Sequence, residues 1–393
     1  MPLDVAAVQT ALREDGLDGW LLYDFHGSNP IAVALTDSAQ SGKLTTRRWY
    51  YLVTANGEPR ALVHAIERFT LDHLPGKKQI YAGRGELESE LARLLTGCRR
   101  VAMEYSPRNA IPYLSRVDGG TLEQVRELGI EVVPSGDLVQ RFQARWDGRA
   151  LDTHRSASDA LYRIKDRAFA AIAERLSRGT PTRETDIQAL MVKWFEEEGL
   201  ISDSAPVVAA QENAGNPHYL PTPAKDRKIR REELVLLDLW GKRRDAGAVY
   251  ADITWVGFTG PAPPQAQAAA FAAVCRARDA AVQLVQDAAV GGRILKGFEV
   301  DRAARQVLLD AGYGAHVLHR TGHSLGLEVH GTGVHMDDYE THDDRRLLPG
   351  TGFTIEPGLY FDDFGVRTEV NVYCDEREAR VTGPLQTELV RIV

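Results

Sequence analysis

Four carboxylates and one imidazole in this chain have the types and spacing of a two-cation site: Asp238 and Asp252, then His323 with His330 behind it, then Glu356 and Glu369. Each acid pair falls on what reads as a hairpin. Leu234 to Trp240 is an apolar run and Val249 to Phe258 is rich in β-branched and aromatic residues, so both are predicted strands, with Gly241 to Gly247 as the turn. Asp238 and Asp252 are symmetric about Asp245, which predicts that they oppose each other and share one face. The second pair repeats the arrangement. Phe353 to Glu356 and Val366 to Tyr373 flank a turn, and Glu356 and Glu369 are symmetric about Asp362 and Asp363. Like charges opposed on a half-buried sheet destabilise it, and burying four ionised carboxylates is costly unless cations compensate. A pair of divalent ions removes that conflict. Carboxylates with one imidazole suit Mn, Co, Zn or Fe, and carboxylates can bridge two ions about 3.5–4 Å apart. The plainer reading makes each acid a solvated strand-end residue; four of them with this symmetry argue for the site.

Six stretches carry the pattern further: Asn216-Pro-His218, Val235 to Asp238, Tyr250 to Thr254, Thr321 to His330, Thr354 to Gly358 and Gly365 to Glu369. In this order they resemble the motif series of the pita-bread metallopeptidases, the family of prolidase, aminopeptidase P, methionine aminopeptidase and creatinase. The matching region runs from about residue 155 to the C-terminus. The resemblance implies that Asp238, Asp252, His323, Glu356 and Glu369 are five metal ligands, with Asp252 and Glu369 bridging. It also implies that His218 and His330 line the substrate cleft and donate to the oxygen on which charge develops. Glu356 would move a proton from the attacking water to the leaving nitrogen. Arg367, inside the last motif, is a further candidate for substrate contact. So is His342, which falls where prolidases carry an Arg for the dipeptide's carboxylate; Arg345 and Arg346 are alternatives.

The implied function is that of a dinuclear metal-dependent peptidase acting on Xaa-Pro dipeptides, a prolidase, with Mn as the leading ion. Aminopeptidase P, which shares every ligand and trims longer Xaa-Pro peptides, is the alternative. A metal-free pita-bread binding module is the alternative of another class, and the intact ligand set speaks against it. Short proline-containing peptides are the expected partners, and relatives suggest a homodimer. Some positions depart from the family pattern, none of them a ligand. The two Asp are fourteen residues apart (252 minus 238), wider than usual, Trp240 stands where Gly is common, and Ser324 follows the ligand His. His319 precedes His323 by four residues, but Gly322 between them argues against a helical ligand pair, which leaves a supporting or packing role.

The elements that must position these residues also show in the sequence. The expected fold class is α+β: a C-terminal pita-bread fold, an antiparallel sheet with outer helices, over residues 151–393, preceded by a smaller α/β domain of the creatinase and prolidase type over 1–150. In the first part, strands are predicted near Trp20, Trp49, Ala61, Gln79, Val101 and Glu131, with helices near Val5, Leu87 and Leu122. Asn29 to Arg48, with Gly, Ser and Thr clustered, reads as a loop. Helices follow over Leu161 to Leu176, Ile187 to Phe195, Gln265 to Ala289 and Phe298 to Ala311, so a helix pair precedes each acid hairpin. The 393 residues suffice for two cores, and a net charge of −8 gives no reason to expect nucleic acid or an anionic membrane as partner. No apolar stretch reaches membrane-spanning length, the start lacks a signal-peptide pattern, and three scattered cysteines match no metal spacing. A reducing cytoplasm is the expected location.

Overall fold

The structure is a computed structural model that describes residues 3–41 and 45–393. The chain divides into two compact units, Met1–Gln143 and Ala144–Val393. In the first, β1 (Gly19–Asp24), β2 (Trp49–Thr54), β3 (Arg60–His64), β4 (Lys77–Tyr81), β5 (Arg100–Met103) and β6 (Glu131–Pro134) form one sheet in the order β4-β3-β2-β1-β5-β6. The sheet is mixed: β1–β2 and β2–β3 are antiparallel, whereas β3–β4, β1–β5 and β5–β6 are parallel. Helices α1 (Val5–Glu14), α2 (Pro30–Thr36), α3 (Arg84–Leu94), α4 (Gly119–Glu127) and α5 (Gly136–Val139) complete the unit. Alternation along β1 explains the two layers. Trp20 and Leu22 join one apolar cluster with α1 and α2, while Leu21 and Tyr23 join another with α3 and α4.

All six predicted strands are present, but the stretch read as a loop is partly helix. Asn29 caps α2, its Oδ1 accepting the Ala32 N–H at 3.1 Å, and Pro30 occupies the first turn. The clustered Gly, Ser and Thr pointed to a loop, whereas Asn29 and Pro30 ahead of them start a helix. Residues 42–44 of that stretch lie outside the described residues.

The second unit opens with α6 (Gly148–Ser177), started by the Asp147 carboxylate on the Ala150 N–H at 2.7 Å, and α7 (Glu184–Glu197). Then come β7 (Leu200–Ile201), β8 (Val207–Ala210), β9 (Leu234–Arg243) and β10 (Ala251–Phe258), followed by α8 (Gln265–Val290) and α9 (Gly297–Asp310). The chain ends with β11 (Ser324–Leu325), β12 (Thr351–Ile355), β13 (Gly358–Tyr360), β14 (Gly365–Arg367), β15 (Val370–Cys374), β16 (Ala379–Val381) and β17 (Val390–Arg391). One sheet runs β17-β10-β9-β7, with β8 also on β9; another runs β11-β12-β15-β16; β13 and β14 form a separate pair. Each helix pair covers its own sheet. Leu161, Ile164 and Ile172 of α6 pack with Ile187 and Met191 of α7 on Leu237, Leu239 and Ile253. Phe271 and Val274 of α8 and Val300 of α9 pack with Phe353, Ile355 and Val370. Because strand side chains alternate, burying Leu237, Leu239 and Ile253 under α6 and α7 turns Asp238, Asp252 and Thr254 to the opposite face.

Candidate metal centre

The first hairpin carries its acids on one face, but not directly opposed. Thr254 faces Asp238 and Trp240 faces Asp252, so the register is shifted by two residues from the expected one. The reason lies at the turn. β9 runs on to Arg243 because β7 takes its other edge, Leu200 opposing Arg243, and Gly247 bends the chain back at φ 80°. The two Asp are therefore diagonal neighbours. In the second hairpin the expected register holds. Ile355 opposes Val370 in one ladder and Gly358 opposes Arg367 in the next, so Glu356 and Glu369 stand across from each other in the gap between the ladders.

The hairpins are fastened to each other. The Glu369 N–H donates to the Thr254 carbonyl at 3.2 Å, and the Asn371 side chain both accepts from the Asp252 N–H at 3.0 Å and donates to the Asp252 carbonyl. His323 stands just before β11, the strand beside β12. Its N–H donates to Thr354 Oγ1 at 3.0 Å, and the Glu356 N–H donates to the Thr321 carbonyl at 2.7 Å. Gly322 is required here, since a Cβ would lie 2.0 Å from the Thr354 carbonyl oxygen.

Asp252, His323 and Glu369, all buried, each offer a ligand atom within 4.8 Å of the others. His323 Nδ1 faces the Ser324 carbonyl at 3.2 Å, which places the proton there and leaves the Nε2 lone pair toward Asp252 Oδ2 (3.6 Å) and Glu356 Oε1 (3.4 Å). Asp252 Oδ1 and Glu369 Oε1 are buried oxygens without a hydrogen-bond partner. Glu369 Oε2 accepts from Thr254 Oγ1 at 2.8 Å. Such orphaned carboxylate oxygens are rare in a folded interior and are what a cation would satisfy. Asp238 sits at the edge of the group and accepts from the Arg367 guanidinium.

The electrostatics give the same reading. Burial pushes the Asp252 carboxyl well above the usual range, and the charges of Asp238 and Glu356 push it further. Glu369 is raised well above its ordinary value by burial and then by Asp252 and Glu356, and Asp238 is raised by burial despite Arg367. Glu356 is the exception. Burial raises it, but His323, His319 and Arg367 outweigh that and hold it below the ordinary value. Burial lowers the His323 pKa, which favours the neutral ring that a metal needs. Four carboxylates gathered around the Arg367 guanidinium, three of them raised by burial and by their acidic neighbours, suit divalent cations. The oxygen-rich donor set fits such ions.

Other expected residues fall in different places. His330 packs edge-on against His323, with ring centroids 4.4 Å apart; loss of hydration, then the neighbouring His323 and Arg320, push its pKa down to about 4, although part of the residue is open to solvent. His218 is exposed on a loop whose backbone is pressed onto β14, since a Cβ at Gly365 would lie 1.9 Å from the Ala214 carbonyl oxygen. Arg367 is buried among the acids and also donates to Tyr360 Oη at 3.0 Å and Thr254 Oγ1 at 3.0 Å, so it is a counter-charge before it is a substrate contact. His342 is not brought to the group: it stacks on Phe298 at 4.7 Å and pairs with Asp338 at 2.6 Å. Arg345 is spent on Asp343 and the Thr332 carbonyl. His319 supports the centre, with Nε2 2.7 Å from the Tyr360 hydroxyl that Arg367 touches. Sequence reasoning missed Thr254, Tyr360 and Asn371. Thr254 was within reach of it, two residues past Asp252 on the same strand face.

An antiparallel fold with paired helices outside and buried acids on the opposite sheet face defines the pita-bread class. The chain belongs to metallopeptidase family M24, whose sequence profile matches residues 158–376. Among curated relatives, the probable dipeptidase PepE of Mycobacterium tuberculosis (strain ATCC 25618 / H37Rv) is 29% identical over 265 residues, 67% of this chain. The match spans 64% of that relative's length, less than two thirds. The Xaa-Pro dipeptidase of Pyrococcus furiosus is 28% identical over 290 residues, 68% of this chain and 77% of that protein. The crystal structure of dipeptidase PepE from Mycobacterium ulcerans superposes with a TM-score of 0.69 at 23% identity, covering 100% of both chains, a likeness of fold.

Proposed function

We propose that this protein is a two-metal peptidase that hydrolyses Xaa-Pro dipeptides, with Asp238, Asp252, His323, Glu356 and Glu369 as ligands. The observation that carries the reading is the buried Asp252–His323–Glu369 group with its two orphaned carboxylate oxygens. The relatives named as dipeptidase and Xaa-Pro dipeptidase support the substrate class. Bound divalent ions would polarise the scissile carbonyl and acidify a water. The chain's own residues do the rest. Glu356, the one acid of the group held below its ordinary value, takes a proton from the water and passes it to the leaving nitrogen. His330, its pKa pushed down to about 4, offers a ring N–H to the carbonyl oxygen as charge develops, and we assign His218 the same role. Asp252 and Glu369, kept in place by Asn371 and Thr254, would be among the residues that hold the ions. Mn is the ion we assign, with Co, Zn and Fe accepted by the same donors.

Residues 1–150 are assigned as the smaller domain of the creatinase and prolidase type, and 151–393 as the catalytic domain. A cytoplasmic homodimer completes the proposal; no helix among the described residues is long and apolar enough to cross a membrane. The test has two arms. Protein purified without chelator is analysed for bound or reconstitutable divalent metal, and the loaded form is offered an Xaa-Pro dipeptide beside a longer peptide beginning Xaa-Pro. Cleavage of the dipeptide with bound metal is expected. A chain that binds no divalent ion sinks the hydrolase reading, and preference for the longer peptide turns the assignment to aminopeptidase P.

A further inference from the structure

His218 rides on an exposed loop, yet a fully buried carboxylate holds that loop at several points. Glu184, the first residue of α7, is 0% exposed. Its Oε1 accepts from the Ala210 N–H at 2.7 Å and the Asn213 side-chain amide at 3.0 Å. Its Oε2 accepts from the Tyr219 hydroxyl at 2.6 Å, the Arg227 N–H at 3.0 Å and the same Asn213 amide at 3.0 Å. One side chain therefore ties the last residue of β8, the residue after His218 and the residue at which the chain leaves the loop. The start of α7 reinforces this grip. Thr185 Oγ1 donates to the Asp226 carboxylate at 2.7 Å, and the Arg183 guanidinium donates to the Asp226 carbonyl at 2.7 Å. On its other side the loop rests on β14, the strand whose Arg367 reaches Asp238. A carboxylate in the first turn is also favoured by the helix dipole.

We propose that Glu184 is a positioning residue of this peptidase: without touching substrate, it sets the place of His218 over the cleft. The inference rests on the function proposed above and on His218 as a substrate contact. Every hydrogen bond described for the Glu184 carboxylate comes from residues 210–227, so its work is done on the loop. Glu184→Gln keeps the volume but puts an amide, itself a donor, against donors, so part of this ring of bonds is lost.

The test uses the Mn-loaded full chain with the dipeptide Ala-Pro, and compares Glu184→Gln, His218→Ala and the double variant. Tyr219→Phe, which removes one hydroxyl, carries the same cycle if Glu184→Gln does not fold. Glu184→Gln is expected to lower kcat/KM by about tenfold, the loss of one well-placed charged hydrogen bond. In the His218→Ala background that effect disappears, so the double variant is no slower than His218→Ala alone. Hydrogen exchange read on the same proteins is expected to speed up by about tenfold across residues 211–226 and to stay unchanged in α8 and α9. Multiplicative losses in the double variant overturn the proposal, because Glu184 would then act independently of His218. Unchanged exchange across 211–226 overturns it as well. A wild-type protein that binds metal but leaves every Xaa-Pro dipeptide intact overturns the proposed function instead, and the exchange comparison still decides whether Glu184 holds the loop.

Discussion

Asp252→Asn should change stability in opposite directions with and without metal. The Asp252 carboxylate is buried beside Asp238, Glu356 and Glu369, and one of its oxygens has no hydrogen-bond partner. In chelated protein that charge is a burden. An amide at the same place removes it, so chelated Asp252→Asn should be more stable than chelated wild type by about 1–3 kcal/mol. For a unit of this size that is a rise in Tm of roughly 2–10 °C. The sign with pH follows from linkage. Asp252 has a folded pKa raised above its unfolded value, so the folded state binds more protons and chelated wild type loses stability as pH rises from about 4, the ordinary carboxylate range. The variant should show a flatter profile. On the proposed ligand set, Mn at about a hundred times its dissociation constant should give wild type roughly 2.7 kcal/mol, while the variant, short of one proposed ligand, should gain little. The two orders of stability therefore cross. Thermal melts of both proteins, chelated and Mn-loaded, read this directly. The reasoning is refuted if chelated Asp252→Asn melts below chelated wild type, or if both proteins gain equally from Mn.

Two more expectations concern the supports of the site. His154 is 0% exposed, lies between the Tyr250 carbonyl and the Thr382 hydroxyl, and has its pKa pushed by burial from 6.5 to about 4. The unfolded chain binds the proton first, so His154 costs roughly 3 kcal/mol of stability as pH falls from 6.5 to 4; urea unfolding at several pH values should show a shallower acid slope for His154→Gln than for wild type. Gly322→Ala drives a methyl group to 2.0 Å from the Thr354 carbonyl oxygen. It should cost about 1–3 kcal/mol, and, by moving His323, weaken Mn binding by roughly tenfold or more in a calorimetric titration.

The sequence was most legible where periodicity meets a constraint of burial. The second hairpin kept its predicted register because Phe353 and Ile355 must face α8, which leaves no freedom to slip by one residue. The first hairpin slipped by two, a change that keeps every side chain on its face and so leaves the hydrophobic pattern untouched. α2 was hidden differently: the Gly, Ser and Thr clustered in Asn29 to Arg48 read as a loop and masked the helix start at Asn29-Pro30. Glu184 was invisible for a different reason. Three of its four partner residues lie 26–35 positions away, two of its contacts are to backbone N–H groups, and nothing in residue type separates it from a surface glutamate at a helix start. His342 shows the converse: an ungapped alignment of letters placed it where prolidases carry an Arg, and in the structure it stacks on Phe298 and hydrogen-bonds to Asp338.

The fastening of Asp252 to Asn371 has a consequence for the order of events during synthesis. These residues are 119 positions apart, and Thr254 and Glu369, which share a hydrogen bond, are 115 apart. No fragment that ends before the second hairpin contains the proposed bridging pair. Contacts this distant in sequence close late because their loop entropy must be offset first. A ribosome-bound chain can therefore complete its N-terminal unit, its first helix pair and its first hairpin and still lack any place for two ions. On the proposed ligand set, metal capture would report that the last hairpin has docked, so the metal pool would meet a finished cavity instead of a growing chain.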